Sequence, residues 1–248
     1  MKNSKKFLRK INHMEKNLPA DKLTVIVPTL NERSNIVLLI PQLLSILPEI
    51  SIIVADDGST DGTPNIVNDW TAKNHKIKLL DRKDKPVKGL SISVVEAIKI
   101  TQTEYFIIID SDFQHPPEHI NDGLQLLSEG YQIVIGRRIK VVGWSFIRKV
   151  ISWGATTLGK ISLWLRRRPR PKDIMSGFFG GETKFVQELI EQSPKSIAPR
   201  GFKLLFDLLK IMPKQTRIGE FSYTFQARKS GQSKIGMKQI LVYFKSLF

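Results

Sequence analysis

Short apolar runs alternate with helix-periodic stretches over the first 135 or so residues. Leu23-Thr24-Val25-Ile26-Val27 reads as a buried strand stopped by Pro28. Ile50 to Ala55, Lys76 to Leu80, Tyr105 to Ile109 and Tyr131 to Ile135 read the same way. Between them, apolar positions recur at helical spacing from about Glu32 to Leu47, Asp61 to Lys73, Leu90 to Ile100 and Pro117 to Ser128. Asn31 is placed to cap the first of these helices, and Ser59 or Thr60 the second. Strands alternating with helices every ~25 residues predict repeated βαβ units, an α/β fold with a mostly parallel, Rossmann-like sheet flanked by helices.

After Gly136 the rhythm changes. Residues 145–165 place Ile147, Val150, Ile151, Gly154, Leu158, Ile161 and Leu165 at helical spacing, and Met237, Ile240, Leu241, Phe244 and Phe248 repeat the pattern. Amphipathic helices over about 145–165 and 235–248 either pack on the sheet or lie at a membrane interface. Charge sharpens the second possibility. The net charge is +16. Eleven Lys and Arg and no acid fall between Arg137 and Lys172, together with Trp144, Trp153 and Trp164. Such a surface suits an anionic bilayer, where each cation contributes on the order of 1 kcal/mol. A solvated basic face is the plainer alternative. Nucleic acid has charge alone in its favour, with no recognised motif, and is not an expected partner.

The 248 residues, 41% hydrophobic, suffice for one core or one domain with an appendage. The division expected is a basic tail over 1–21 and a domain over 22–248. The absence of cysteine excludes disulfides and thiolate chemistry. Residues 1–17 are lysine-rich without a continuous apolar core, so no signal peptide is expected, and no run approaches the ~20 apolar residues of a spanning helix. The expected location is cytoplasmic, peripheral on the cytoplasmic face of a membrane.

Polar loops follow three of the strands, where an open α/β sheet binds its ligand. Asp110-Ser111-Asp112 ends the Tyr105–Ile109 run, and two carboxylates so spaced can share a hard divalent cation, Mg²⁺ or Mn²⁺. Asp56, Asp57 and Glu32 are suited to accept hydrogen bonds from a nucleobase or ribose; for Asp57 and Gly58 a tight turn, and for Asp61 a helix cap, explain the residues equally well. Lys88-Gly89 precedes a helix whose N-terminus attracts phosphate.

Six segments occur in order: Pro28-Thr29-Leu30-Asn31-Glu32, Asp56-Asp57-Gly58-Ser59-Thr60-Asp61-Gly62-Thr63, Asp110-Ser111-Asp112-Phe113-Gln114-His115-Pro116-Pro117-Glu118, Ser176-Gly177-Phe178-Phe179, Arg200-Gly201-Phe202-Lys203 and Ser233-Lys234. Over about residues 22–248 the chain resembles family 2 glycosyltransferases of the GT-A fold, within them the polyprenyl-phosphate branch typified by dolichyl-phosphate mannose synthases. The resemblance implies inverting, metal-dependent transfer of a hexose, mannose or glucose, from a nucleotide-sugar donor (GDP-mannose or UDP-glucose) to a polyprenyl phosphate. It implies that Asp110, Asp112 and Gln114 bind Mg²⁺ or Mn²⁺ with the donor diphosphate, and that Pro28, Glu32 and Asp57 line the nucleoside pocket, where the residue reading above adds Asp56. Lys88 and Gly89 would add to the donor side, and Arg228 and Lys234 would close over the diphosphate. Arg138, Arg148, Ser152 and Ser176 would hold the acceptor phosphate; Asp112, Arg138, Arg148 and Arg228 would act in the transfer itself.

Residue chemistry agrees with that carry-over. Arg148 and Ser152 are i, i+4 neighbours and can grip one phosphate. A phosphate monoester is already an anion, whereas a saccharide hydroxyl would need a general base. Asp173 and Glu182 stand singly after Asp112, with no adjacent acidic pair, which favours the phosphate over a soluble enzyme acting on a sugar hydroxyl. His115 reads as a loop-shaping residue. Two departures from the family pattern stand out: Arg137 precedes Arg138 where a small residue is usual, so the two arginines could exchange roles, and Ile139 to Gly143 replaces a glycine-rich stretch. No terminal spanning helix is seen, so attachment would rest on the basic, tryptophan-bearing surface or on a small membrane subunit.

Overall fold

A computed structural model of the chain describes residues 18–143, 146–199 and 203–227, the side chains of 146–151 excepted. Residues 1–17 of the expected basic tail, Arg228, Lys234, the Arg148 side chain and the expected helix at 235–248 lie outside the described residues. The strands are β1 (Leu23–Thr29), β2 (Ser51–Asp56), β3 (Ile77–Asp81), β4 (Tyr105–Ile108), β5 (Ile133–Val141), β6 (Phe179–Glu182) and β7 (Ile218–Phe225). The helices are α1 (Arg33–Ile46), α2 (Thr63–Lys73), α3 (Leu90–Ile100), α4 (Ile120–Ser128), α5 (Phe146–Leu165), α6 (Thr183–Gln192) and α7 (Leu204–Ile211).

β1 is apolar along most of its length because it is buried on both faces, as a central parallel strand must be. It pairs in parallel with β2 and with β4, and β2 pairs with β3. The register sets Thr29 beside Asp56 and Ile26 beside Ile108, so the loops after β1, β2 and β4 emerge at one edge of the sheet. Among the described residues the sheet has seven strands in the order β3-β2-β1-β4-β6-β5-β7. Apolar layers cover both faces, Ile36, Leu39, Leu43 and Val67 on one and Val94, Ile98, Leu189 and Phe206 on the other.

The sheet is mixed. β6 runs antiparallel to both β4 and β5, while β5 and β7 are parallel. Two glycines make the insertion of β6 possible. A Cβ on Gly180 would lie 2.2 Å from the Phe106 carbonyl oxygen, and one on Gly181 would lie 2.8 Å from that of Gln132. Neither β6 nor β7 was expected from the apolar pattern.

Two helix starts differ from expectation. Asn31 does not cap α1. It sits in the left-handed region (φ 53), donates its N–H to Ser59 Oγ at 2.7 Å and accepts the Thr60 N–H at 2.8 Å, tying the first two loops together. At α2 it is Asp61 that accepts the Thr63 N–H, at 2.9 Å, with Gly62 turning the chain at φ 87. α5 forms over the expected span: it buries Leu163 yet leaves Trp153, Trp164 and Leu165 more than half exposed. Among the described residues no helix is long and apolar enough to cross a membrane.

Candidate active site

The loop after β2 is organised around a carboxylate that sees no solvent. Asp56 is fully buried and accepts hydrogen bonds from Thr29 Oγ1 (2.9 Å), Ser59 Oγ and the N–H groups of Gly58 (3.1 Å) and Ser59 (2.7 Å). The structure therefore gives Asp56 a task other than the expected contact with a nucleoside: it holds the turn that presents Asp57. Asp57 accepts the Gly89 N–H at 2.7 Å and is paired with Nη1 of Arg82. Arg82, absent from the sequence-based candidates, is fully buried and cross-links this corner. It donates also to Glu96 (3.1 and 3.3 Å), Ser93 Oγ (3.0 Å) and the Val87 carbonyl (2.9 Å). Lys88 points its ammonium at the carbonyls of Arg82 and Lys83, so it braces the 82–89 loop. Gly89 takes a backbone conformation (φ 149) that favours glycine, and α3 starts directly after it. Pro28 is buried within β1, and Glu32 is half-buried at the start of α1, accepting the Asn35 side-chain N–H at 2.7 Å.

The loop after β4 carries Asp110 and Asp112. Asp112 accepts the Gln114 N–H at 3.1 Å across Phe113, whose φ of 61 is unusual for an aromatic residue and folds the loop back on itself. Gln114 is tied to the end of β7: its carbonyl accepts the Gln226 N–H at 2.9 Å and its side-chain amide donates to the Gln226 carbonyl at 3.2 Å. His115 lies below, among Phe178, Tyr223 and Phe225, with ring centroids 5.4–5.6 Å away. Burial pushes its pKa down to about 3, against the pull of Asp112. The ring is therefore neutral at physiological pH, and the 3.6 Å approach of Nδ1 to Asp110 is not an ion pair. Nδ1 instead accepts the Asp110 N–H at 3.3 Å, the loop-shaping role expected of this histidine. Gly177 packs against the same place, where a Cβ would sit 3.3 Å from Asp110 Oδ2 and 3.2 Å from His115 Cε1. Among the described residues no three His, Asp or Glu side chains converge into a closed cage. The half-exposed Asp110 and nearly buried Asp112 fit a hard divalent cation that shares its remaining positions with phosphate and water.

Arg138, on β5, faces this loop from the other side. Its Nε and Nη2 grip both oxygens of Asp173 at 2.7 and 2.8 Å, and both side chains are about one-tenth exposed. Burial works against both charges, but the pairing outweighs it: Arg138 is held above its usual pKa and Asp173 below the usual carboxylate range. Asp173 also accepts the Met175 N–H at 3.2 Å and so shapes the 173–178 loop. Ser176 is buried in that loop, exchanging 3.1 Å hydrogen bonds with the N–H and C=O of Phe178. Lys203 donates to the Met175 carbonyl at 2.9 Å from the start of α7. Glu182 is remote. It pairs with Tyr105 at the opposite end of β4, about 16 Å along the strand from Asp110 at ~3.3 Å per residue. Ser152 is half-buried on α5.

The fold thus brings together the Asp57 corner, the Asp110–Gln114 loop and the Arg138–Asp173 pair. Arg82 and Tyr223 complete it without having been legible as site residues. The model of the family described as glycosyl transferase family 2 matches residues 24–189, which include all three loops, Arg138 and Asp173. The dolichol-phosphate mannosyltransferase of Pyrococcus furiosus is 34% identical over 236 residues, covering 92% of this chain and 63% of the relative. That of Saccharomyces cerevisiae is 30% identical over 238 residues, covering 90% of this chain and 85% of the relative. The chain thus spans less than two thirds of the archaeal relative's length and most of the yeast one's. A solved structure of glucosyl-3-phosphoglycerate synthase from Mycobacterium tuberculosis, in complex with Mn²⁺, UDP-glucose and phosphoglyceric acid, shares the fold with a TM-score of 0.63 at 19% identity, covering 94% of this chain and 83% of the other. With the loop-bearing half of the sheet inside the family match and close to full-length similarity to the yeast protein, the chain belongs to glycosyl transferase family 2.

Proposed function

We propose that this chain transfers a hexose, mannose or glucose, from a nucleotide-sugar donor to a polyprenyl (dolichyl-type) phosphate, with inversion and with Mg²⁺ or Mn²⁺. One observation carries the choice of acceptor. The carboxylate on the acceptor side, Asp173, is committed to Arg138 and held ionised below the usual range, a poor general base. Glu182 is at the far end of β4. A saccharide hydroxyl would find neither, whereas a phosphate monoester attacks as the anion it already is. The names of the archaeal and yeast relatives point the same way.

In the transfer, an acceptor phosphate oxygen forms a bond to the anomeric carbon while the bond from that carbon to the nucleoside diphosphate breaks. Asp57 and Glu32 would accept hydrogen bonds from the nucleoside, Asp57 being aimed by Arg82 and Gly89. Asp110 and Asp112, with Gln114 beside them, would hold the metal, which when bound neutralises charge on the donor diphosphate. Arg228 and Lys234 would act on the same charge, and Arg138, Arg148 and Ser152 would grip the acceptor phosphate. The α5 surface, with Trp153, Trp164 and Leu165 exposed beside Arg166, Arg167 and Arg168, suits the interface of an anionic membrane on its cytoplasmic face. A small membrane subunit would add to that attachment, and residues 22–248 would act as one catalytic domain behind a basic tail.

Melting temperatures with GDP, UDP and CDP, each with and without Mn²⁺, test the donor half of this reading. A ligand at about 100 times its Kd stabilises the folded state by roughly 2.7 kcal/mol. One nucleotide raising the melting temperature only with Mn²⁺ is the expected result. No rise with any of them overturns the donor site.

A further inference from the structure

Tyr223 belongs to none of the recognised motifs, yet its hydroxyl ends among the charged groups of the site without a hydrogen-bond partner among the described residues. β7 sets Tyr223 in register with Arg138 on β5. The ring lies over Gly136, where an added Cβ would come within 2.9 Å of Cε1, and it touches His115 and Phe178 at centroid distances of 5.6 and 5.4 Å. Only 1% exposed, the side chain is wedged in place and its hydroxyl has no access to water.

A buried donor left unpaired is unfavourable, and phenylalanine would fill the same space without that penalty. Ser176 lies near enough to ease ionisation of the phenol, but its Oγ is outside hydrogen-bonding geometry with the Tyr223 hydroxyl and bonds instead to the N–H and C=O of Phe178. Burial nevertheless drives the phenol's pKa up, so the group is a protonated donor throughout the physiological range. Arg138, Asp173 and Asp110 are the charges it faces. Asp173 holds the loop that covers it, through Arg138 and the Met175 N–H. An anion arriving at Arg138 would compete with Asp173 for the guanidinium, and release of Asp173 would free the loop and offer the hydroxyl an acceptor.

We propose that the Tyr223 hydroxyl is a further binding group for the acceptor phosphate, donating its proton to a phosphate oxygen held by Arg138. The inference rests on the acceptor reading above. Tyr223→Phe in the full chain removes the hydroxyl and little else. Its melting temperature without ligand is expected to equal or exceed the wild type's, because no native hydrogen bond is lost. The KM for a short-chain polyprenyl phosphate in detergent should rise about ten- to a hundredfold, the scale of one hydrogen bond to a charged group, with the donor KM and kcat within about twofold. The melting-temperature rise that the same lipid phosphate gives the wild type should shrink in parallel. A lower melting temperature without ligand would mean a structural bond, to a buried water or a side chain, and would overturn the proposal. So would an unchanged acceptor KM, or a raised donor KM in its place. A wild-type chain that transfers nothing sinks the transferase reading; an active wild type with an indistinguishable Tyr223→Phe sinks only the role of Tyr223.

Discussion

Replacing Asp173 by Asn tests the ion pair on which the proposed acceptor side is built. Both partners are about one-tenth exposed, and the carboxylate takes Nε and Nη2 of Arg138 at 2.7 and 2.8 Å. Asn retains one oxygen for one of these donors but turns an N–H₂ toward the other, and the guanidinium loses its counter-charge. Removing one partner of a buried pair costs about 3–5 kcal/mol, and the residual exposure and the retained oxygen favour the lower end, about 3 kcal/mol. At about 2–4 °C per kcal/mol for a chain of this length, the melting temperature should fall by about 6–12 °C at neutral pH. Arg138→Met combined with Asp173→Leu removes both charges at once and should recover most of that loss. The pH dependence has a definite sign. Although burial opposes its charge, Asp173 is held below its unfolded-state pKa by Arg138, so the pair's contribution is complete above about pH 4 and is lost as pH falls through the lower folded-state value. The lead of the wild type over Asp173→Asn therefore narrows in acid. Melts followed by circular dichroism from about pH 2 to 8, which spans the range where the contribution is lost, measure all of this. A fall under about 2 °C, a double variant no better than the single one, or a lead that widens toward acid would refute the reasoning.

Asp112→Ala should abolish any Mn²⁺-dependent rise in melting temperature with nucleoside diphosphate while leaving the far-ultraviolet spectrum unchanged; a retained rise contradicts the metal assignment. Gly180→Ala puts a Cβ 2.2 Å from a backbone oxygen that has no rotamer to escape into, so it should cost about 3 kcal/mol or more. An unchanged melting temperature would mean that β4 and β6 separate readily. Trp153→Ala with Trp164→Ala removes two side chains that are mostly exposed, so stability should hold within about 1 kcal/mol. Sedimentation with anionic vesicles should fall about tenfold, and equal binding of the variant would locate the membrane contact elsewhere.

The parts of the fold legible in the sequence were those in which one local signal sufficed. β1, β2 and β4 are mostly apolar runs because central parallel strands are buried on both faces, and α1 to α5 announce themselves by spacing. β6 was hidden because its fit depends on Gly180 and Gly181, residues that disfavour strands and are chosen for the closeness of Phe106 and Gln132 in space. β7 does alternate, Phe221, Tyr223 and Phe225 inward, but its even pattern was overshadowed by the basic segment that follows. The placing of Asp57, Asp110 and Asp112 in loops at one edge of the sheet was legible because each follows directly on an apolar strand. Asp56 reads as a ligand contact until its four donors, all within its own and the neighbouring loop, are seen. Arg82 reads as a surface charge, since nothing local says that Asp57, Glu96 and Val87 will enclose it. The pairing of Arg138 with Asp173, 35 residues on, is a product of tertiary structure alone.

The most direct test is transfer itself. The purified full chain is incubated with Mn²⁺, radiolabelled GDP-mannose or UDP-glucose, and either a polyprenyl phosphate, the corresponding polyprenol or a free saccharide. Label entering the organic phase with the phosphate alone, released as free sugar by mild acid, is the predicted result. Label on the saccharide, or on the polyprenol as readily as on its phosphate, would contradict an acceptor site built to bind a phosphate that needs no general base.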